Sequence, residues 1–356
     1  MLILGIETSC DETAAAIIEE KDGKIKVLSN IVSSQIELHA QWGGVVPNLA
    51  AREHLKNIIP VITESLKIAD IEPAQIDLIS ATNGPGLIPA LLIGANAGKT
   101  LSYAWKKPLL GIHHIEGHIY SNLLSPENTE VKFPILCLVV SGGHTQIILM
   151  QDHLNYKIVG QTLDDAVGEA FDKVARILEL GYPGGPIISQ LAENYTAENN
   201  SALPDIKFPR PMLKAKNLNF SFSGLKTAVL YATKKYPELK TDINFKTKVA
   251  YEFQQAAIEV LIHKTLAATE KYQPQTIMLA GGVSANKELR RQFGEAISEK
   301  NSNLAYIIPA ITYSGDNAAM IAIAGHYRYQ KMSASEKKQT LNNWKNLKTD
   351  ANLKLK

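Results

Sequence analysis

Cysteine is nearly absent from this chain: Cys10 and Cys137 are the only two in 356 residues. Each lies in or beside an apolar strand-like run, which suits buried reduced thiols and argues against a disulfide framework. Long apolar runs are missing as well. None approaches the roughly 18–20 residues that cross a bilayer, and the opening Met1–Ile6 is too short for a signal peptide and lacks its basic flank. The expected location is the cytoplasm, with no membrane partner. Nor does one sign of charge dominate, since 37 Lys and Arg face 35 Asp and Glu, for a net charge of +2. That balance neither demands nor excludes a polyanionic partner, because nucleic-acid binding needs a local basic surface and not a basic total. With 45% hydrophobic and 20% charged residues, the composition disfavours disorder and favours an ordinary globular protein.

The length exceeds the roughly 250–300 residues at which single cores stop growing, so two lobes are expected. Strand-like runs at Leu2–Glu7, Thr13–Glu19, Ile25–Val32, Asp77–Thr82 and Pro108–Ile112 alternate with helical patterns at Pro47–Ile68, Ile88–Trp105 and His114–Leu124, which reads as an α/β fold. The pattern restarts near Phe133. There Phe133–Val140, a polar turn Ser141-Gly-Gly-His-Thr145, and Gln146–Met150 repeat the design of Leu2–Glu7, the turn Thr8–Glu12, and Thr13–Glu19. Two unrelated hairpins would read the same way; a duplicated domain would make the chain a two-lobed, actin-like (ASKHA) protein with mixed sheets. The expected lobes are 1–130 and 131–330. The second would carry a helical insertion at about 183–272, and 331–356 would be a polar, Lys-rich short helix and loose tail. Helices are expected at 164–180, Ser223–Lys235, Phe245–Tyr272, Ser284–Ala296 and Asp316–Tyr329, with strands at Gln275–Leu279 and Ala305–Ile308.

His114 and His118 stand at i and i+4 of one predicted helix, the spacing that lets two imidazoles share one ion. Two histidines of an ordinary amphipathic helix would look the same. Glu116 sits two residues after His114, so the His-Glu-x-x-His zinc-protease pattern is not met. A third ligand, preferably a carboxylate, is needed; Asp316 is a candidate, although Asp before an apolar helical run also reads as an N-cap. Glycine turns at Ser141-Gly142-Gly143, Gly184-Gly185 and Gly281-Gly282 could offer backbone amides to a nucleotide's phosphates. Gly94-Ala-Asn-Ala-Gly98-Lys99-Thr100 is not a P-loop: it has three residues between its glycines where four are required, and it falls inside a predicted helix.

Read together, these residues resemble the TsaD family (also Gcp or YgjD) of tRNA N6-adenosine threonylcarbamoyltransferases. The likeness runs from Leu4 to about Tyr329. It rests on Gly5-Ile-Glu-Thr-Ser-Cys-Asp-Glu-Thr13, Gly43-Gly-Val-Val-Pro47, Gly84-Pro-Gly-Leu87, the stretch Lys99–Ile119, Val140-Ser-Gly-Gly-His-Thr145, Gly168-Glu-Ala-Phe-Asp-Lys173, Tyr182-Pro-Gly-Gly185, Phe220-Ser-Phe-Ser-Gly-Leu-Lys226, Gly281–Asn286 and Asp316-Asn317. Pro89 and Asn48 depart from the family's common residues; Pro89 fits the first turn of a helix.

The resemblance implies an actin-like fold and makes His114, His118 and Asp316 ligands of one divalent metal, Fe2+ first and Zn2+ as the alternative. It implies that Val139, Val140, Ser141, Gly142, Gly143, Asp172, Gly185 and Asn286 hold the adenylate part of threonylcarbamoyl-AMP. Asp172 would accept from ribose hydroxyls, and Asn286 would offer a donor and an acceptor. The group would pass to N6 of an adenosine in tRNA, with Asp11 positioning the attacking amine or taking its proton. TsaB and TsaE are the partners implied. Arg210, Lys214 and Lys216 are candidate phosphate contacts. The rival readings are an actin-like small-molecule kinase or ATPase, which has no use for the His pair, and a non-catalytic scaffold subunit.

Overall fold

The apolar run Leu2–Glu7 forms β1, whose Ile3, Leu4 and Ile6 are fully buried, as a strand covered on both faces must be. A polar turn returns the chain through β2 (Glu12–Lys21) and β3 (Lys24–Ser34), both antiparallel pairings. A short α1 (Ile36–Ala40) and the long α2 (Pro47–Ala69) follow, the latter with proline in its first turn, where a missing N–H costs nothing. β4 (Leu78–Gly84) and β5 (Leu109–His113) then join parallel to β1 and to each other, giving the order β3-β2-β1-β4-β5. Between them runs α3 (Ile88–Trp105), and α4 (His114–Ser121) leaves β5 without a loop. Gly94 and Gly98 lie inside α3, as expected of packing glycines and not of a phosphate loop.

The second sheet repeats the plan. β6 (Ile135–Val140), β7 (Thr145–Asp152) and β8 (Asn155–Gln161) form the meander. After α5 (Val167–Ile177), α6 (Gly184–Glu193), α7 (Ser223–Lys235) and α8 (Ile243–Tyr272), β9 (Thr276–Ala280) adds parallel to β6. α9 (Lys287–Lys300) leads to β10 (Ala305–Ile307), completing the order β10-β9-β6-β7-β8. This is the first sheet's order read from the other end, so the chain has the duplicated, actin-like architecture. The expected insertion contributes to the core: Ile188, Phe208, Phe220, Phe222 and Phe253 pack in one cluster with Leu136 and Leu138 of β6.

The chain is a computed structural model in which residues 1–125, 131–196, 203–301 and 304–355 are described. It divides into two units, Met1–Val131 with His153–Asn155 and Pro309–Lys356, and Lys132–Asp152 with Tyr156–Ile308. Residues 309–330, expected in the second lobe, group with the first unit in this division. α10 (Ala318–Lys331) packs on β1, β2 and α4 of the first unit through a run of fully buried small and apolar residues, Ala318 to Ala324. Sequence order does not say which of two like sheets such a helix will cover.

The tail is not loose either. After α11 (Ala334–Thr340) and α12 (Asn343–Asn346), Trp344 lies against Tyr103 with ring centroids 4.8 Å apart and joins the core of the first unit. The Asp350 N–H donates to the Asn83 carbonyl at 2.9 Å. Both cysteines are free, and no helix among the described residues is long and apolar enough to cross a membrane.

Candidate functional site

α4 begins where β5 ends, and His113 is its N-cap: Nδ1 accepts from the Ile115 N–H at 3.2 Å, and Nε2–H donates to the Leu353 carbonyl at 3.0 Å. His113 is thus structural, and burial presses its pKa down to about 4. One residue on, His114 and His118 share a face of α4 with rings 4.6 Å apart. α10 approaches that helix at Gly117, where an added Cβ would come within 2.8 Å of Ile321 Cδ1. The close crossing brings in Asp316, from the turn before α10. Its Oδ1 is 3.5 Å from His114 Nε2 and 3.2 Å from His118 Nε2, and the three ligand atoms all lie within 4.8 Å of one another. Asp316 is not the N-cap that its place before an apolar run allows. Asn317 caps α10, accepting from the Met320 N–H at 3.0 Å.

The triad fits a cation. His118 is fully buried; its Nδ1 has no hydrogen-bond partner and its Nε2 meets only the Asp316 carboxylate, at 3.2 Å. A buried imidazole so poorly matched costs about 1–3 kcal/mol, which an ion on Nε2 would offset. Burial pushes its pKa down against the pull of Asp316, which keeps a ligand nitrogen deprotonated. Two imidazoles and a carboxylate with further positions open suit Fe2+ or Zn2+.

Sequence reading missed the residues that orient the triad. The buried carboxylate of Glu7 ends β1, with Oε2 3.1 Å from His114 Nδ1. Ser9 Oγ is also 3.1 Å from that nitrogen. Glu7 is itself held by the Thr82 hydroxyl at 2.7 Å and by the Ser9 N–H. This fixes the Nδ1–H tautomer and turns Nε2 toward Asp316, as outer partners of metal-bound histidines do. Burial lowers the His114 pKa, but the Asp316 and Glu7 carboxylates outweigh it and raise it to about 9 in the absence of an ion. An acidic residue closing an otherwise apolar strand was the available signal. Glu116 points elsewhere and forms a two-pronged ion pair with Arg328 of α10, one arm 2.6 Å long, so it has no part in the triad.

Asp11 lies nearly buried in the β1–β2 turn. Its carboxylate and that of Asp316 add to loss of solvent in holding the Glu12 carboxyl well above the usual range. The turn is gripped from behind: His54 of α2 donates from Nε2 to the Cys10 carbonyl at 2.9 Å and accepts from Thr13 Oγ1 at 2.8 Å.

In the second unit the glycine turns meet. A cavity of about 490 Å³ is lined by Gly142, Asp172, Gly185, Gly282 and Asn286 with Phe171 and Val283, a size usual for ligand pockets. An added Cβ at Gly142, Gly185 or Gly282 would meet nothing within 4 Å. Of the other residues expected there, Ser141 and Gly143 continue the same turn, whereas Val139 and Val140 are fully buried in β6 and do not line the cavity. Asp172 accepts from the Gly184 N–H at 2.7 Å. Asn286 caps α9 through Oδ1 and gives both its donors to Ser189 and Gln254, at 2.7 and 2.8 Å. It therefore braces the pocket wall, leaving a ligand only an Oδ1 lone pair. Arg210, expected as a phosphate contact, is instead locked to Glu259 at 2.7 and 2.9 Å; Lys214 and Lys216 are exposed.

Fold and site define an actin-like α/β protein with two histidines and one carboxylate placed where they could hold a single ion. The chain belongs to the family described as "TsaD: tRNA N6-adenosine threonylcarbamoyltransferase", whose family model matches residues 26–323. A tRNA N6-adenosine threonylcarbamoyltransferase of Thermosipho africanus is 49% identical over 336 residues, covering 94% of this chain and 97% of that one. The protein of the same description from Protochlamydia amoebophila is 48% identical over 340 residues, covering 94% and 95%. Among solved structures, full-length HypF in its phosphate- and nucleotide-bound form matches with a TM-score of 0.57 at 11% identity. That match covers 94% of this chain but 47% of HypF, and it speaks for the fold alone.

Proposed function

We propose that the chain transfers the threonylcarbamoyl group of threonylcarbamoyl-AMP to N6 of the adenosine on the 3′ side of the anticodon, in tRNAs reading codons that begin with A. The N6 nitrogen attacks the carbamoyl carbon. A C–N bond forms, the bond from that carbon to the phosphate oxygen breaks, the amine loses a proton, and AMP departs. His114, His118 and Asp316 would hold one divalent ion, iron first and zinc second, which when bound supplies Lewis acidity for a carbonyl gaining negative charge. Glu7 and Ser9 keep His114 in its binding tautomer. The glycine-lined pocket takes the adenylate through backbone amides, with Asp172 beside it. Asp11 orients the amine or accepts its proton, and the grip of His54 keeps that turn in place. TsaB and TsaE are assigned as partners on the family resemblance.

The observation that carries this reading is the convergence of two imidazoles and Asp316, with His118 buried and otherwise unsatisfied, in a chain of this family. The test is reconstitution with partner proteins, tRNA, threonine, bicarbonate and ATP, scored by nucleoside analysis. Wild-type chain should yield threonylcarbamoyladenosine, and the His114→Ala, His118→Ala chain should not. No modified nucleoside from the wild type, with competent partners, would make the chain a scaffold; product from the double variant would remove the triad from the chemistry.

A further inference from the structure

The chain's excess of positive charge has an address. Residues 331–356 hold seven lysines against Glu336 and Asp350, so the first 330 residues carry 30 Lys and Arg against 33 Asp and Glu. A near-neutral total conceals an acidic body and a basic end. That end is pinned to the first unit by its backbone and its apolar side chains. The Asn83 side chain donates to the Lys348 carbonyl at 3.3 Å, the Gly86 N–H to the Ala351 carbonyl at 3.3 Å, and the Asn343 side chain to the Leu109 carbonyl at 2.8 Å. Gly84 makes room for it, since a Cβ there would stand 2.0 Å from the Asp350 carbonyl oxygen. The last of these ties, from His113 to Leu353, is made by the residue next to His114. The Gly84-Pro-Gly-Leu87 motif, whose Leu87 N–H also donates to the Ser9 carbonyl at 2.8 Å, is the seat of this strap.

The apolar residues of the strap face inward, and its cations do not. Leu347 packs against Gly111 and Leu353 against Gly84, while Lys338, Lys345, Lys348 and Lys354 are exposed. Among the described residues, none of Lys337, Lys338, Lys345, Lys348 or Lys354 pairs with a carboxylate, whereas Lys56, Lys173, Lys240 and Lys300 all do. Cations fixed on an ordered backbone lose less entropy on meeting a polyanion than those of a loose tail.

We infer that this lysine strap, residues 337–354, is a contact surface for the phosphate backbone of the substrate RNA, holding it beside the metal-binding helix. The inference rests on the proposed transfer to tRNA, which makes RNA the polyanion that must reach this edge. Binding of a tRNA transcript to the full chain is measured across a salt series, for the wild type, for K345Q/K348Q/K354Q, and for K21Q/K24Q/K26Q on the β2–β3 hairpin. Each phosphate contact contributes about 0.7 to the salt slope for single-stranded nucleic acid. The strap variant should therefore lose about 2 from the slope and about tenfold or more in affinity at moderate salt, while the hairpin variant stays close to wild type. Metal content and thermal midpoint should not move, since no pinning group is altered. Equal affinity and slope for strap variant and wild type would overturn the inference, as would equal losses in both variants, which would mark a bulk-charge effect. If binding to vesicles of phosphatidylserine and phosphatidylcholine falls in the strap variant while RNA binding holds, the strap is a membrane surface and the inference fails. Binding is read without turnover, so a wild type that holds RNA through the strap yet makes no product defeats the transferase reading and leaves this one standing.

Discussion

The two candidate sites are built from opposite materials. In the first unit the triad is all side chains, two buried imidazoles and a half-buried carboxylate, with His114 aimed by Glu7 and Ser9. In the second, the pocket is mostly backbone: glycine turns at the ends of β6 and β9 and at the start of α6, with Asp172 and Asn286 as braces. A side-chain site depends on the identity of a few atoms; a backbone site depends on the absence of atoms. Substitutions should therefore act by removal in one and by filling in the other.

The contrast would break most visibly at the ligands. His118→Ala should reduce bound metal to below about a tenth of wild type and product formation by on the order of 10³-fold, read by elemental analysis of anaerobically purified protein and by nucleoside analysis. A variant retaining full metal would show that the ion is held elsewhere. Next comes Glu7→Gln, which keeps the shape but removes the charge that orients His114. Metal affinity should fall about 10–100-fold, measured by competition with a chromogenic chelator; unchanged affinity would demote Glu7 to a purely structural role.

For the pocket, Gly185→Leu adds bulk where a Cβ meets nothing. AMP binding by calorimetry should weaken about tenfold, with thermal midpoint and metal content held, because no core contact changes. Equal AMP affinity would place the nucleotide outside this cavity. The smallest effect concerns His54, a fully buried imidazole whose pKa burial pushes below its ordinary 6.5. The unfolded chain then binds the extra proton as pH drops below about 6.5, so stability is lost on acidification in that window. His54→Gln should flatten the fall of the urea midpoint below that pH and lower turnover a few-fold without changing metal content. A variant as acid-sensitive as wild type would assign the loss to other groups.

Much of this was legible in the sequence because the signals were local. The His pair is a helical spacing, the glycine turns are composition, and the duplicated plan shows in two strand–turn–strand segments. What escaped was decided at a distance. Glu7 looks like the polar end of a strand until β5 and α4 bring His114 to it. Asp316 and Asn317 are adjacent, both able to cap a helix, and only the packing of α10 gives the cap to Asn317 and turns Asp316 to the histidines. Arg210 reads as a phosphate contact until α8 presents Glu259. The Lys-rich end reads as solvated until Trp344 finds Tyr103.

By itself the sequence determined the elements, the repeat and the types of ligand, because periodicity, turn chemistry and spacing act over a few residues. The tertiary structure alone decided which sheet α10 covers, which acidic residue meets the histidines and where the basic end lies. Those choices depend on burial and hydrogen bonding between segments up to some 300 residues apart in the chain, as from Asn30 to Ala319, and no local pattern encodes such a distance.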